Sequence, residues 1–307
     1  MIGKICGTGA YIPPKYLDND DLAKIVDTND EWIRERTGIA KRHIIEDDTT
    51  VSMAVKAGKT ALQSAEMSPE EIDLIIVSTI SSNIVLPCTA CEVQKEIGAV
   101  HATCFDLNAA CTGFLFAYNT AQAYISSGIY KNALLIGAES LSNLVDWEDR
   151  GTCILFGDGA GAAVLKAQEG TMISTVTHSD GKKGEALICG TGSKMKMDGQ
   201  EVFKFAVKQV PVCIKELLEK NGLATEDISY FVLHQANRRI VEAVAKRMRT
   251  DIEKFPMNLQ EYGNTSSASI PILLDELNQK KILKKGQRIV LAGFGAGLSW
   301  GASLVEW

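Results

Sequence analysis

Continuous apolar runs alternate with helix-like stretches along the chain. Four of the runs, IDLIIVST (72–79), ALLIG (133–137), ISYFVLH (228–234) and RIVLAG (288–293), are rich in β-branched residues. Strands covered on both faces need that composition, and their alternation with helical segments predicts an α/β architecture. After Asp106 no charged residue occurs until Lys131, although Asn108, Thr112, Asn119, Gln122 and Cys111 interrupt the apolar positions. A helix without a solvated face is buried on all sides.

The chain also repeats itself. An offset of 156 residues sets PEEIDLIIVS (69–78) beside TEDISYFVLH (225–234), and LLIG (134–137) beside VLAG (290–293). The same offset sets the charge-free stretch opposite YGNTSSASIPILL (262–274), so each half owns a helix of this kind. Two buried helices between two sheets predict a layered core shared by two halves, 1–170 and 171–307.

Composition narrows the class. A chain of 307 residues can bury a sizeable core, and 46% hydrophobic with 23% charged residues reads as soluble and globular. A net charge of −6 argues against nucleic acid as the main partner. MIGKICGTGAYIPP lacks the pattern of a signal peptide, and no window is long and apolar enough to predict a membrane span. Eight cysteines without an export signal point to a reducing, cytoplasmic setting. Cys88 and Cys91 form the one C-x-x-C; without a second pair they read as packing residues, not metal ligands. Gly7-Thr-Gly9 is followed by Pro13 and Pro14 where a dinucleotide-binding helix would have to run, which excludes that motif. Gly157-Asp-Gly159-Ala-Gly161 lacks the lysine and hydroxyl of a P-loop and reads as a tight turn with close backbone approach.

Cys111 stands where the first buried helix is expected to begin, at the positive end of its dipole. A free thiol titrates near about 8.5, and lowering it by about 1.5 units takes roughly 2 kcal/mol. A helix end supplies up to about 2 kcal/mol, and burial works against it. His234 ends a buried strand, and Asn264 lies just before the second charge-free helix. The 156-residue offset maps Cys111 to Ser267, three residues from Asn264, so pseudo-twofold symmetry predicts that the two helix starts meet.

DTNDEWIRERTGI, NAACTGF, DRGT, FGDGAGAAVL, EVFKFAV, HQANRRI, GNTSSAS and GFGAGLSWG resemble, in order and across the whole chain, β-ketoacyl-acyl-carrier-protein synthase III, the condensing enzyme that initiates bacterial fatty acid synthesis. The resemblance implies a thiolase-like layered αβαβα fold built from two pseudo-symmetric halves, and a homodimer. It implies a ping-pong reaction in which a short acyl-CoA such as acetyl-CoA acylates Cys111, and malonyl-acyl carrier protein then loses carbon dioxide and attacks the acyl group. Acyl-CoA is a substrate, and no cofactor is expected.

By the same resemblance His234 and Asn264 stabilise the enolate, and the backbone N–H groups of Cys111 and Ala296 form an oxyanion site. Trp32 and Arg150 sandwich the adenine of CoA, with Thr28, Arg36 and Asn237 along the tunnel. Lys204, Gln235, Arg239, Lys246, Arg247 and Arg249 dock the acidic carrier protein. Leu86 stands where many members have an aromatic residue lining the primer pocket across the dimer interface. Trp32 and Arg36 also suit an i,i+4 contact on one helix, and the basic patch also suits a solvated face.

Other readings are a condensing enzyme of secondary metabolism with a different primer, a papain-like hydrolase, and a noncatalytic scaffold. The papain-like signature around cysteine is absent, although the spacing of 123 residues from Cys111 to His234 is close to that pattern. A thiolase would carry a second catalytic cysteine near the C-terminus, whereas the last cysteine here is Cys213. A scaffold would be expected to lose a member of the Cys, His, Asn trio.

Overall fold

The computed structural model describes residues 1–170 and 174–307. One sheet holds β1 (Ile2–Tyr11), β2 (Leu74–Ser78), β3 (Thr103–Leu107), β4 (Asn132–Glu139) and β5 (Gly159–Gln168), in the order β1-β5-β4-β2-β3. A second holds β6 (Ser174–Ser179), β7 (Tyr230–Leu233), β8 (Arg288–Gly295) and β9 (Ser299–Glu306), in the order β7-β8-β9-β6. The pairs β2/β4 and β7/β8 are parallel, and the neighbouring β4/β5 and β8/β9 are antiparallel.

The helices that dress these sheets are α1 (Asp30–Thr37), α2 (Thr50–Ser64), α3 (Thr89–Ile97), α4 (Gly113–Ser126), α5 (Gly199–Lys220), α6 (Arg238–Met248) and α7 (Ser269–Gln279). Apolar side chains of α4 and α7 share one cluster with the facing sides of both sheets, including Phe114, Leu115, Ile270, Leu273, Ile76 and Leu291. α2 and α3 cover the outer face of the first sheet, and α5 and α6 that of the second. The result is five layers, α/β/α/β/α, with α4 and α7 in the middle; α4 carries no charge, and α7 is uncharged up to Asp275.

Polar residues in those middle helices are spoken for. Gln122 accepts from the N–H of Gly3 at 2.8 Å and donates to its carbonyl at 2.6 Å, and Asn119 bonds Thr175 and Ser303. Satisfied in this way, they cost little to bury.

The internal repeat is visible in coordinates. β4 and β8 correspond residue for residue at the 156-residue offset, as do the single helical turns at Ala110–Thr112 and Ser266–Ala268 that precede α4 and α7. Ala110 and Ser266 are matched too, and both adopt left-handed backbone, with φ of 47° and 49°. The glycine run is a correction: Gly159 and Gly161 lie inside β5, not in a turn. The close approach stands, since a Cβ at Gly161 would fall 2.5 Å from the backbone nitrogen of Ile272 on α7.

Candidate active site

Three chain segments bring Cys111, His234 and Asn264 to the inner end of one cleft of about 1490 Å³. Cys111 sits in the turn before α4, His234 just past β7, and Asn264 in the loop before the second turn. All three are buried, at 6%, 1% and 6% exposure. β8 closes the site from beneath with Phe294 and Gly295. A Cβ at Gly295 would lie 2.8 Å from the Cys111 Cβ and 3.0 Å from its backbone nitrogen, so a side chain there would displace the nucleophile.

Each polar group is held from behind. The Nδ1 of His234 lies 2.7 Å from the hydroxyl of Ser269, which also accepts the N–H of Gln235, and the ring meets Phe294 edge-on at 5.1 Å. Asn264 Oδ1 accepts the N–H of Ser266 at 2.9 Å, which turns Nδ2 away from that bond. Its backbone is clamped to β-like partners, donating to Leu155 O and accepting from Gly157 N.

Burial and the helix pole oppose each other at the thiol. Burial pushes Cys111 up to about 12, and the neighbouring Ser266 hydroxyl works only partly against it. Burial favours the neutral thiol at rest, against the pull of the helix pole. Burial also pushes His234 down to about 3, leaving a neutral imidazole. Glu139, at the end of β4 and fully buried, is held above its ordinary value by burial, against the pull of its hydroxyl and N–H donors.

At the outer end, α1 presents Trp32. Asn29 caps the helix by accepting the Trp32 N–H at 2.8 Å, and Gly38 ends it in left-handed backbone with φ of 81°. The guanidiniums of Arg36 and Arg150 lie 4.9 and 4.7 Å from the indole centroid. Arg150 also donates to Asp27 O at 2.8 Å. A base stacked between indole and guanidinium needs a separation of about 7 Å, twice a contact distance, so Arg150 has to withdraw to admit one. Asn237 lines the cleft and ties α6 to α1 through Arg36 O at 3.1 Å. Thr28 stands off the cleft lining, its hydroxyl buried without a partner among the described residues.

Lys204 and Arg239 line the rim, while Lys246, Arg247 and Arg249 are exposed near the end of α6, outside the lining. Gln235 is a correction. It is buried, donating to Leu233 O and accepting from Asn258 N, and reaches no surface on which a partner docks. Ala296 lines a second cavity of about 510 Å³ with Asn108 and Phe116, one residue beyond the glycine that faces Cys111. Leu86 is 84% exposed and lines neither cavity of its own chain.

Sequence reasoning passed over Glu139 and Ser266. The signal available for Glu139 was an acid closing an otherwise apolar strand, and for Ser266 its match to the residue before Cys111. Among the described residues no group of three or more His, Cys, Asp or Glu side chains is placed to hold a metal ion, and no helix is long and apolar enough to cross a membrane.

Two family models match this chain. Residues 105–181 match the model for 3-oxoacyl-[acyl-carrier-protein] synthase III, and residues 218–307 match the model for its C-terminal region. The sequence is 50% identical to β-ketoacyl-[acyl-carrier-protein] synthase III of Clostridium novyi, covering 99% of this chain and 98% of that protein. It is 49% identical to the enzyme of the same name from Clostridium acetobutylicum, with the same coverage. The crystal structure of 3-oxoacyl-[acyl-carrier-protein] synthase III from Aquifex aeolicus superposes with a TM-score of 0.97 at 46% identity, over 99% of this chain and all of that one.

Proposed function

This chain belongs to the β-ketoacyl-[acyl-carrier-protein] synthase III family, condensing acyltransferases that initiate fatty acid synthesis, and from that membership we propose how its own residues divide the work. Cys111 is the nucleophile. It attacks the thioester of a short acyl-CoA; the acyl group passes to its sulfur, and CoA leaves as the thiol, carrying the proton that Cys111 gives up. The tetrahedral adduct is held by the backbone N–H groups of Cys111 and Ala296. Trp32 and Arg150 hold the adenine, with Arg36 and Asn237 along the rest of CoA and Thr28 behind them, off the cleft lining.

Malonyl-acyl carrier protein then occupies the cleft. Its C–C bond to the carboxylate breaks, carbon dioxide leaves, and the electron pair becomes an enolate whose oxygen takes hydrogen bonds from His234 and Asn264. Ser269 accepts from Gln235, so its own hydrogen is free to go to His234 Nδ1; Nε2 then carries the imidazole hydrogen toward the cleft. The enolate carbon attacks the acyl-cysteine, the C–S bond breaks, the β-ketoacyl chain leaves on the carrier, and the Cys111 thiolate so released takes a proton from solvent. Nucleophile, donors and leaving groups all come from chain and substrates, so this chemistry calls for no metal or prosthetic group.

The observation that carries the reading is the convergence of Cys111, His234 and Asn264 on the floor of one cleft whose mouth holds Trp32 and Arg150. We further assign a cytoplasmic homodimer. Supporting the dimer, β3 is an edge strand paired, among the described residues, only with β2, and Val85 and Leu86 are 89% and 84% exposed. Lys204, Arg239, Lys246, Arg247 and Arg249 form the docking face for the acidic carrier.

His234→Ala and Asn264→Ala test the division of labour. Both variants are expected to accept an acyl group from CoA, while decarboxylation of malonyl-acyl carrier protein falls by about 10²–10³-fold, the usual loss for one such donor. Normal carbon dioxide release from both variants refutes the assignment.

A further inference from the structure

Beneath the nucleophile lies a polar cluster that the scheme above leaves unused. Ser266 is buried at 1% exposure, and its hydroxyl has no hydrogen-bond partner within reach among the described residues. Burying an unpaired hydroxyl is costly, so a hydroxyl kept in that state calls for a use. The turn that carries it, 266–268, packs against both the turn that carries Cys111 and β4, the strand that ends in Glu139. Its backbone is fixed on both sides, by left-handed φ of 49° and by the N–H bond to Asn264.

Glu139 is bonded on both oxygens. Oε2 accepts from Ser81 Oγ at 2.5 Å, Ile80 N at 3.1 Å and Thr79 Oγ1 at 3.3 Å; Oε1 lies 2.7 Å from Ser267 Oγ. The Ser267 hydroxyl has one hydrogen, and it also lies 3.0 Å from the carbonyl of Ser78, which can only accept. Both contacts are full hydrogen bonds if Ser267 donates to Ser78 and Glu139 carries a proton on Oε1 that it donates to Ser267. A neutral acid also avoids setting a second negative charge beside a cysteine anion.

The repeat places this cluster in context. The 156-residue offset maps Cys111 to Ser267 and Glu139 to Gly295. In one half the strand end is bare and leaves room for a reacting sulfur; in the other an acid fills the equivalent space and ties down a serine. The halves have diverged reciprocally, one into a reaction site and one into its support.

We propose that the Ser266 hydroxyl donates the hydrogen bond that stabilises the Cys111 thiolate, and that Glu139, held as a neutral acid, is the positioning residue that fixes the Ser266–Ser267 turn for it. Ser266 keeps its hydrogen throughout, since over the acylation step the proton of Cys111 ends on the CoA sulfur. The inference rests on the reading of Cys111 as nucleophile. The titratable groups around Cys111 are His234, past the end of β7, and Glu139 on β4; the turns at 110–112 and 266–268 and the end of β8 add none.

The test is the rate at which iodoacetamide alkylates Cys111 in the full chain, followed against pH by peptide mass. It needs no acyl-CoA, so an enzyme that fails to acylate leaves this measurement standing, and the reverse. Ser266→Ala is expected to raise the alkylation midpoint by about one unit, which slows the reaction about tenfold at a fixed pH below it. Its melting temperature should be unchanged or higher, because the hydroxyl removed had no partner. A purely structural serine would give the opposite pair of results, a lower melting temperature with the wild-type profile, and that outcome overturns the proposal. Glu139→Gln reproduces the neutral acid, with its amide donating to Ser267, and is expected to recover most of the alkylation lost in Glu139→Ala. Should the alanine variant not fold, the glutamine variant decides alone. Folded protein whose Cys111 reacts about tenfold more slowly contradicts a neutral Glu139, and a rate close to wild type supports it.

Discussion

His234 carries the clearest pH signature of any single residue here. Its ordinary value of 6.5 is driven down to about 3 by burial, so the imidazole stays neutral throughout the range in which a surface histidine titrates. A hydrogen-bond donor needs no charge, and decarboxylation measured from pH 5.5 to 8 is expected to show no inflection near 6.5. An inflection there that vanishes in His234→Ala would mean the ring works as a cation. Glu139 acts on stability in the other direction. The unfolded chain releases this proton near 4.5, while the folded chain holds it to higher pH. Stability is therefore lost as pH rises above the unfolded value until the buried group ionises. Glutamine has no proton to lose, so Glu139→Gln should melt higher than wild type at pH 8, with the gap closing toward pH 5. An equal gap at both values contradicts a buried titrating acid. These states could not be read from sequence: the charge of an acid or a thiol depends on what surrounds it, and neighbours from distant segments, such as Ser81 and Ser267 around Glu139, leave no local pattern.

Elements were more legible, because periodicity is local. The four apolar runs became β2, β4, β7 and β8 with shifts of one or two residues at their ends, and the charge-free stretches became α4 and α7. The 156-residue offset held because both halves kept the same strand and turn lengths around the site. Surface placement was less legible. HQANRR reads as one polar run, yet Gln235 turns inward to Leu233 and Asn258 while Arg238 and Arg239 face solvent. Within the basic set Lys204 is already paired with Glu201 at 2.8 Å, which leaves the last turn of α6 as the freer source of charge. Replacing Lys246 and Arg247 together with glutamate is expected to raise the Michaelis constant for malonyl-acyl carrier protein several-fold, with acylation by acyl-CoA unchanged. A constant equal to that of wild type makes those residues ordinary surface.

At the scale of the molecule, five layers explain why a long uncharged helix need not meet a membrane: sheets from both halves enclose it. The same layering leaves the edge of β3 and the apolar pair Val85 and Leu86 without cover in a single chain. An open edge beside exposed apolar side chains is a pairing site. Aspartate at both 85 and 86 is expected to shift the protein from dimer toward monomer in sedimentation, with the fold retained by circular dichroism. A monomeric wild type under the same conditions would remove the dimer from the account. Sequence pattern marked Leu86 only through resemblance, because one exposed leucine in a loop carries no signal until the neighbouring edge is known.

The central claim is that the starter unit travels as a thioester on Cys111. Intact-mass spectrometry of the wild-type chain mixed with acetyl-CoA and longer acyl-CoAs, without carrier protein, tests it most directly. The account predicts a gain of one acyl group per chain, located on the peptide containing Cys111 and absent from Cys111→Ala. No gain with any starter, or a gain that persists in the alanine variant, contradicts it.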